Sequence, residues 1–261
     1  MYAFSYHAAL SLDDAVQRLR EDPEARPLAG GMTLIPSLKH RLARVSQVVD
    51  LAPLFALRAL EVSDKQVRIG ALVAHQEVAD SPELAQALPG LAHLAGLIGD
   101  PQVRARGTLG GSVANNDPAA DYPAAVLALD ATLITDRREI AAADFFMGMF
   151  ATALAPDELL VAVRFCRARR SAYAKFRQSA SGYAMAGVFL ADLGPAGLRV
   201  AVTGACDGVL RWHAAEQAWA QGRLPGALHH PGLQEDLHAS ARFRGHLAGV
   251  LFEQALAQLS P

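Results

Sequence analysis

Apolar and polar positions alternate along this chain at two periods, and the period changes often enough to predict a mixed α and β fold. Tyr2, Phe4 and Tyr6 alternate with small or polar residues, which predicts a half-buried strand. Ser11 precedes Leu12, Ala15, Val16 and Leu19 at helical spacing, with Asp14 where a capping acid belongs. A second helix is expected from about Leu34, carrying Lys39, His40 and Arg41 on its polar side, and Val45 to Leu51 reads as the next strand. Leu60 to Val62 and Val67 to Ile69 flank Ser63-Asp64-Lys65-Gln66 as a hairpin. Leu72 to Val78 and Pro89 to Ile98 have helical spacing. Past residue 123 the pattern predicts a helix from Pro123 to Leu129, a hairpin from Ala131 to Ala141 and a buried strand from Leu159 to Phe165. Phe145, Phe146, Met149 and Phe150 stand at helical spacing, for which core packing is a better explanation than a ring-stacking platform. The character then changes. Strands are expected at Tyr173 to Gln178, Ala184 to Asp192 and Leu198 to Gly204, and helices at Ala214 to Gln221 and Leu237 to Leu259, so a domain boundary is placed between residues 167 and 168.

One stretch breaks the pattern. From Asp100 to Pro123 the chain is polar and glycine-rich between apolar helical segments, and reads as a long loop. Ordering such a loop costs conformational entropy, so it more often binds something than merely connects two elements. Its centre is Thr108-Leu109-Gly110-Gly111-Ser112, which is either a Gly-Gly turn or a cradle whose amides and hydroxyls meet a phosphate. An earlier run, Leu28-Ala29-Gly30-Gly31-Met32-Thr33-Leu34, again joins paired glycines to a hydroxyl residue. Two such loops suit the two phosphates of a dinucleotide. Gly-x-Gly-x-x-Gly is absent, which argues against a Rossmann unit despite the βαβ-like opening.

Composition narrows the function classes. Of 261 residues 52% are apolar and 19% charged, as in a globular protein, and the formal net charge of −2 recommends no nucleic acid partner. The Arg164, Arg167, Arg169 and Arg170 cluster reads as a solvated connector. Cys166 and Cys206 form no Cys-x-x-Cys run, so neither an iron–sulfur cluster nor a structural zinc is expected here; a reduced thiol pair is the preferred account, with a disulfide left open. The stretch Met1 to His7 lacks secretory-signal character and no apolar run is long enough to span a bilayer, so a cytoplasmic setting without membrane insertion is expected.

Taken together, Ala-Gly-Gly-Met-Thr, then Asp-Pro-Gln-Val-Arg-Ala-Arg-Gly-Thr-Leu-Gly-Gly-Ser, then Asp-Pro-Ala-Ala-Asp-Tyr-Pro-Ala-Ala resemble the FAD-binding medium subunit of molybdenum hydroxylases, the flavoprotein of the carbon monoxide dehydrogenase and xanthine dehydrogenase family. The resemblance runs over nearly the whole chain. It implies an α+β fold: a two-subdomain FAD-binding domain of the PCMH type over residues 1–167, then a small domain of antiparallel strands and helices over 168–261. It also implies non-covalent FAD, with molybdopterin and 2Fe-2S clusters on partner subunits only. Electrons would pass from an iron–sulfur small subunit, fed by a molybdopterin large subunit, through FAD to an external acceptor.

The same resemblance assigns residues. Ala29, Gly30, Gly31, Met32, Thr33 and Leu34 match the family's first diphosphate loop, and Thr108, Gly110, Gly111 and Ser112 the second. Asp121 matches a carboxylate near the cofactor, with Asn115 and Asp117 as weaker companions; its other reading is a cap on the helix near Pro123. Ile98 and Leu160 either pack on flat rings or are core residues, and Tyr183 is either the aromatic residue close to the isoalloxazine or a strand aromatic. Lys175 and Arg177 are expected to place positive charge near the reduced flavin. Three features depart from the pattern or restrict it. Met32 stands where small or polar residues are common, Gly182 where many relatives carry Asp, and the absence of a cysteine-bearing insertion argues against the hydroxybenzoyl-CoA reductase branch. No catalytic residue is assigned. A self-contained FAD oxidase and a cofactor-free scaffold are the competing readings. His75-Gln76-Glu77 lacks the Pro-Cys-x-x-Cys that a zinc deaminase needs, and His229-His230 reads as a solvated loop.

Overall fold

A computed structural model describes residues 1–259. The first unit is β1 (Ser5–Ala8), α1 (Leu12–Glu21), β2 (Arg26–Leu28), α2 (Leu34–Lys39) and β3 (Gln47–Asp50), whose three strands form a parallel sheet in the order β1-β3-β2. Ser11 caps α1 by accepting from the Asp14 amide, while the Asp14 carboxylate accepts from the Leu10 amide at 2.9 Å.

The second unit begins with β4 (Leu60–Val62) and β5 (Gln66–Gly70). Six short helices follow: α3 (His75–Asp80), α4 (Pro82–Ala87), α5 (Pro89–Gly96), α6 (Pro101–Arg106), α7 (Leu109–Asn115) and α8 (Tyr122–Ala128). Then come β6 (Thr132–Thr135), β7 (Glu139–Ala141), α9 (Ala142–Phe145), β8 (Phe146–Gly148), β9 (Ala151–Thr152) and β10 (Leu160–Cys166). An antiparallel sheet runs β4-β5-β10-β6-β7, and β8 pairs only with β9.

The remainder is β11 (Arg170–Arg177), β12 (Ala184–Asp192), β13 (Leu198–Thr203), β14 (Leu210–Arg211), α10 (His213–Ala220) and α11 (Ala241–Leu259), with the strands in one antiparallel sheet in chain order. Strand β12 is buried on both faces. Its Phe189 and Ala191 join the core that contains α5 and α8, and the intervening Val188 and Leu190 join Leu251 and Phe252 of α11. The apolar run of β12 follows from that double burial.

Several elements differ from the sequence expectation. Asp100 to Pro123 is largely helical: the Asp100 carboxylate accepts from the Val103 amide at 2.8 Å to start α6, and Thr108 Oγ1 accepts from the Gly111 amide at 3.1 Å to start α7. Strand β1 is an edge strand that begins at Ser5, and Tyr6 and Tyr2 are exposed, with Arg41 and Arg44 both over the Tyr2 ring. Helix α2 ends at Lys39, before His40 and Arg41. The helix expected from Leu72 starts only at His75, because the Ala71 and Leu72 amides donate to Val161 and Leu57 carbonyls. Leu237 is exposed and α11 starts at Ala241, after Asp236 Oδ1 has accepted from the His238 and Ala239 amides. Phe145 is core, but the chain then turns extended and leaves Met149 and Phe150 in the open. The arginine cluster, by contrast, lies at the surface as expected, with Arg167, Arg169 and Arg170 exposed, while Arg164 pairs with Glu139, Arg167 with the Ser63 carbonyl and Arg170 with Asp192.

Candidate functional site

The parallel sheet, the antiparallel sheet and the α7–α8 region enclose a cleft of about 790 Å³. All six residues from Ala29 to Leu34 line it, and so do Thr108, Gly110, Gly111, Ser112, Asn115 and Asp117. Ile98, Asp121, Leu160 and Tyr183 line it as well. Lys175 and Arg177 do not.

The two glycine runs touch each other. A Cβ on Gly30 would stand 1.9 Å from the Arg106 carbonyl oxygen, and one on Gly110 2.4 Å from Ala71 Cβ. Both positions need glycine because the neighbouring chain leaves no room for a Cβ there. Gly31 alone among the paired glycines has positive φ, +74°.

Their amides differ too. In the second run Leu109 and Gly110 donate to the Val73 and Ala71 carbonyls, Gly111 to Thr108 Oγ1 and Ser112 to the Thr108 carbonyl. These four amides are engaged, while the Thr108 amide that opens the run donates to no acceptor among the described residues. In the first run the Gly30, Gly31, Met32 and Thr33 amides donate to no acceptor among the described residues. Thr33 occupies the position before α2 without capping it, so its hydroxyl is also uncommitted. Adjacent unpaired amides beside hydroxyls are donors suited to an anion such as a diphosphate, and the cleft is of a size for a large organic cofactor.

Asp121 sits at the N-cap of α8 but does not cap it. Its Oδ1 accepts from Tyr173 Oη at 2.5 Å and its Oδ2 from Lys175 Nζ at 2.9 Å. Burial raises the Asp121 carboxyl pKa, against the Lys175 charge and the two hydrogen bonds. Lys175 also donates to the Leu97 carbonyl, so its ammonium stands behind Asp121 as half of a buried pair. A register shift between Phe176 and Arg177 ends the regular pairing of β11, and Arg177 lies exposed. Tyr183 is 45% exposed at the end of a tight turn in which Gln178 N donates to the Tyr183 carbonyl and Gly182 has φ +75°.

Of the lining residues that carry no assignment from sequence, three stand out: His75, Glu158 and Phe150. His75 is buried in the cleft wall, its ring 5.3 Å from that of Tyr122, and desolvation, then the charge of Arg104, lowers its imidazole pKa to about 4. It is therefore neutral near pH 7. Glu158 is held by a two-pronged contact from Arg138, which lowers its carboxyl pKa to about 2. Phe150 is the third. His75 and Phe150 were visible in sequence as a possible ligand and a possible ring platform, and Glu158 had no signal at all. Among the described residues no cluster of His, Cys, Asp or Glu is placed to hold a metal, and no helix is long and apolar enough to cross a membrane.

Residues 2–167 match the family described as the FAD binding domain in molybdopterin dehydrogenase. The chain belongs to that family. It is 33% identical to the nicotine 6-hydroxylase medium subunit of Paenarthrobacter nicotinovorans over 98% of this chain and 97% of the relative. Against the carbon monoxide dehydrogenase medium chain of Hydrogenophaga pseudoflava it is 32% identical, covering 97% and 96% of the two chains. The FAD-binding fold is shared with solved structures. A chain of the reconstituted carbon monoxide dehydrogenase from Oligotropha carboxidovorans superposes with a TM-score of 0.91 at 31% identity, covering 99% of this chain and 98% of that one. Quinoline 2-oxidoreductase from Pseudomonas putida 86 gives 0.87 at 28% identity, covering 99% and 97%. FAD is the cofactor of this family, and the relatives are medium subunits or chains of oxidoreductases.

Proposed function

We propose that this chain is the FAD-binding electron-transfer subunit of a molybdenum hydroxylase complex. The four unpaired amides from Gly30 to Thr33, facing a cleft large enough for a dinucleotide, carry the reading. The first glycine run meets the diphosphate with backbone N–H groups, and the second contributes Ser112 Oγ and shape. When bound, FAD supplies stepwise transfer of electrons between a donor and an acceptor. The chain's residues would hold it: Ile98 and Leu160 would offer apolar contact to flat rings, Asn115, Asp117 and Asp121 would accept from ribityl or ribose hydroxyls, and Tyr183 would pack against the ring system. Lys175 acts on the cofactor only through Asp121, as a pair without net charge, and Arg177 acts from outside the lining.

The electron source in this reading is an iron–sulfur small subunit served by a molybdopterin large subunit, and the sink is an external acceptor. Relatives that are medium subunits of carbon monoxide dehydrogenase and nicotine 6-hydroxylase support that division of labour. A cytoplasmic setting belongs to it, supported by two free thiols. Residues 1–167 and 168–261 are read as the FAD domain and a C-terminal domain, supported by the new sheet that starts at Arg170. A self-contained oxidase needs a free general base, whereas the lining carboxylates Asp117, Asp121 and Glu158 are already engaged by Ala119 N, by Lys175 and Tyr173, and by Arg138, and His75, buried with its pKa lowered to about 4, is a weak base.

The test is an absorbance spectrum of the purified full chain with and without added FAD, after gel filtration, beside a Gly111→Asp variant. Flavin bands retained by the wild type and absent from the variant are expected. A wild type that stays colourless both alone and co-expressed with the two partner subunits overturns the proposal.

A further inference from the structure

Among the described residues Phe150 is the one aromatic with a positive φ. Its φ is +54°, a left-handed conformation that bulky side chains rarely adopt, yet the residue is 57% exposed, so no core packing holds it there. What holds it is Asn116. This residue is 1% exposed and itself left-handed at φ 45° and ψ 49°. Its carbonyl accepts from the Phe150 amide at 3.0 Å, and its Nδ2 donates at 2.7 Å to the carbonyls of both Gly148 and Ala151. The β8–β9 turn is thus fastened on either side of Phe150 by one buried side chain.

The fastening aims the ring. Phe150 lines the cleft beside Thr152 and Leu154, and Asn116 lies between two other lining residues, Asn115 and Asp117. Strain that the surroundings over-determine, at a residue exposed to a cavity, is a mark of a preorganised contact. We infer that Phe150 is a clamp for a planar heteroaromatic ring of the bound dinucleotide, held ready by Asn116. The inference rests on the FAD reading above and adds to it a residue outside both glycine runs. Both the isoalloxazine and the adenine of FAD offer such a ring, and the probes tell them apart.

The test compares wild type, Phe150→Asn and Phe150→Tyr as full chains, measuring Kd for FAD, riboflavin and ADP together with Tm. Asn tolerates left-handed backbone, so Phe150→Asn removes the ring without adding strain. The expected result is a loss of about tenfold in FAD affinity for Phe150→Asn, with Tm unchanged or raised and with Phe150→Tyr close to wild type. A parallel loss for riboflavin alone assigns the clamp to the isoalloxazine, and for ADP alone to adenine. If the wild type binds FAD and Phe150→Asn binds it within twofold, the clamp is overturned and Phe150 belongs with exposed Met147 and Met149 as surface. A fall in Tm for Phe150→Asn with unchanged affinity also overturns it, by making the ring structural. A wild type that binds no FAD overturns this inference and the functional reading together.

Discussion

Lys175 Nζ lies 2.9 Å from Asp121 Oδ2, with the two side chains 2% and 4% exposed. The pair ties strand β11 to the start of helix α8 at the floor of the cleft, and Tyr173, on the same strand face, completes it. Removing one partner strands a buried charge. Lys175→Met is expected to cost about 3–5 kcal/mol in urea denaturation, and the double variant Lys175→Met with Asp121→Leu to recover much of that. Equal stability of the single variant and wild type would show that the pair does not hold the two elements together.

The buried imidazole of His75 makes stability depend on pH. Its pKa is lowered from 6.5 to about 4 in the folded chain, so the unfolded chain takes up the proton first. The contribution is complete above pH 6.5 and is lost as pH falls toward 4, at about 1.4 kcal/mol per pH unit within that window. His75→Leu should flatten this part of a stability profile measured by denaturation at successive pH values. An unchanged slope would assign the dependence to another group.

Glu158 acts lower on the scale. Hydrogen bonds from Arg138 are the largest cause of its lowered pKa, about 2 against an ordinary 4.5, so its stabilisation is full above pH 4.5 and lost as pH falls toward 2. Arg138→Met should move acid unfolding to higher pH and loosen the cleft wall at Ala153 and Ala155, whose carbonyl and amide meet the same pair. Acid titration followed by tryptophan fluorescence reads the shift, and an unmoved midpoint would count against it.

The paired glycines should respond unequally to alanine. At Gly30 the added methyl meets the Arg106 carbonyl oxygen at 1.9 Å, so Gly30→Ala is expected to cost about 1–3 kcal/mol and to lower FAD retention by parting the two runs. At Gly111 the nearest obstacle is the tip of the Thr108 side chain at 2.9 Å, with Ala29 Cβ at 3.7 Å. Gly111→Ala is therefore expected to be the milder change. Calorimetry and retained flavin would reverse this ranking if Gly111 were the tighter position.

Local pattern carried much of the fold. Helix α1 with its Ser11 cap, the β4–β5 and β6–β7 hairpins and the meander from β11 to β13 all follow from spacing, turn residues and period. Those signals act between residues a few positions apart. The glycine runs were legible as special for the same reason, and the resemblance they carry pointed to the family.

What local pattern did not carry is why each residue of the site is there. The glycines at 30 and 110 looked like room for a ligand, and the closeness of Arg106 and Ala71 requires them as well. The amides at 109–112 looked free and are consumed by Ala71, Val73 and Thr108, leaving the free donors at 30–33. Of the two readings of Asp121, cofactor-side carboxylate or cap, the cap fails, because its carboxylate turns to a strand more than fifty positions later. Phe150 looked like core and is held in the open by Asn116. Most elements could be read along the chain because propensity, capping and turn chemistry are local, although α6 and α7 were not. The tertiary structure alone decided which backbone groups remained unpaired and which charges were buried, because those depend on contacts between distant segments that no local period records.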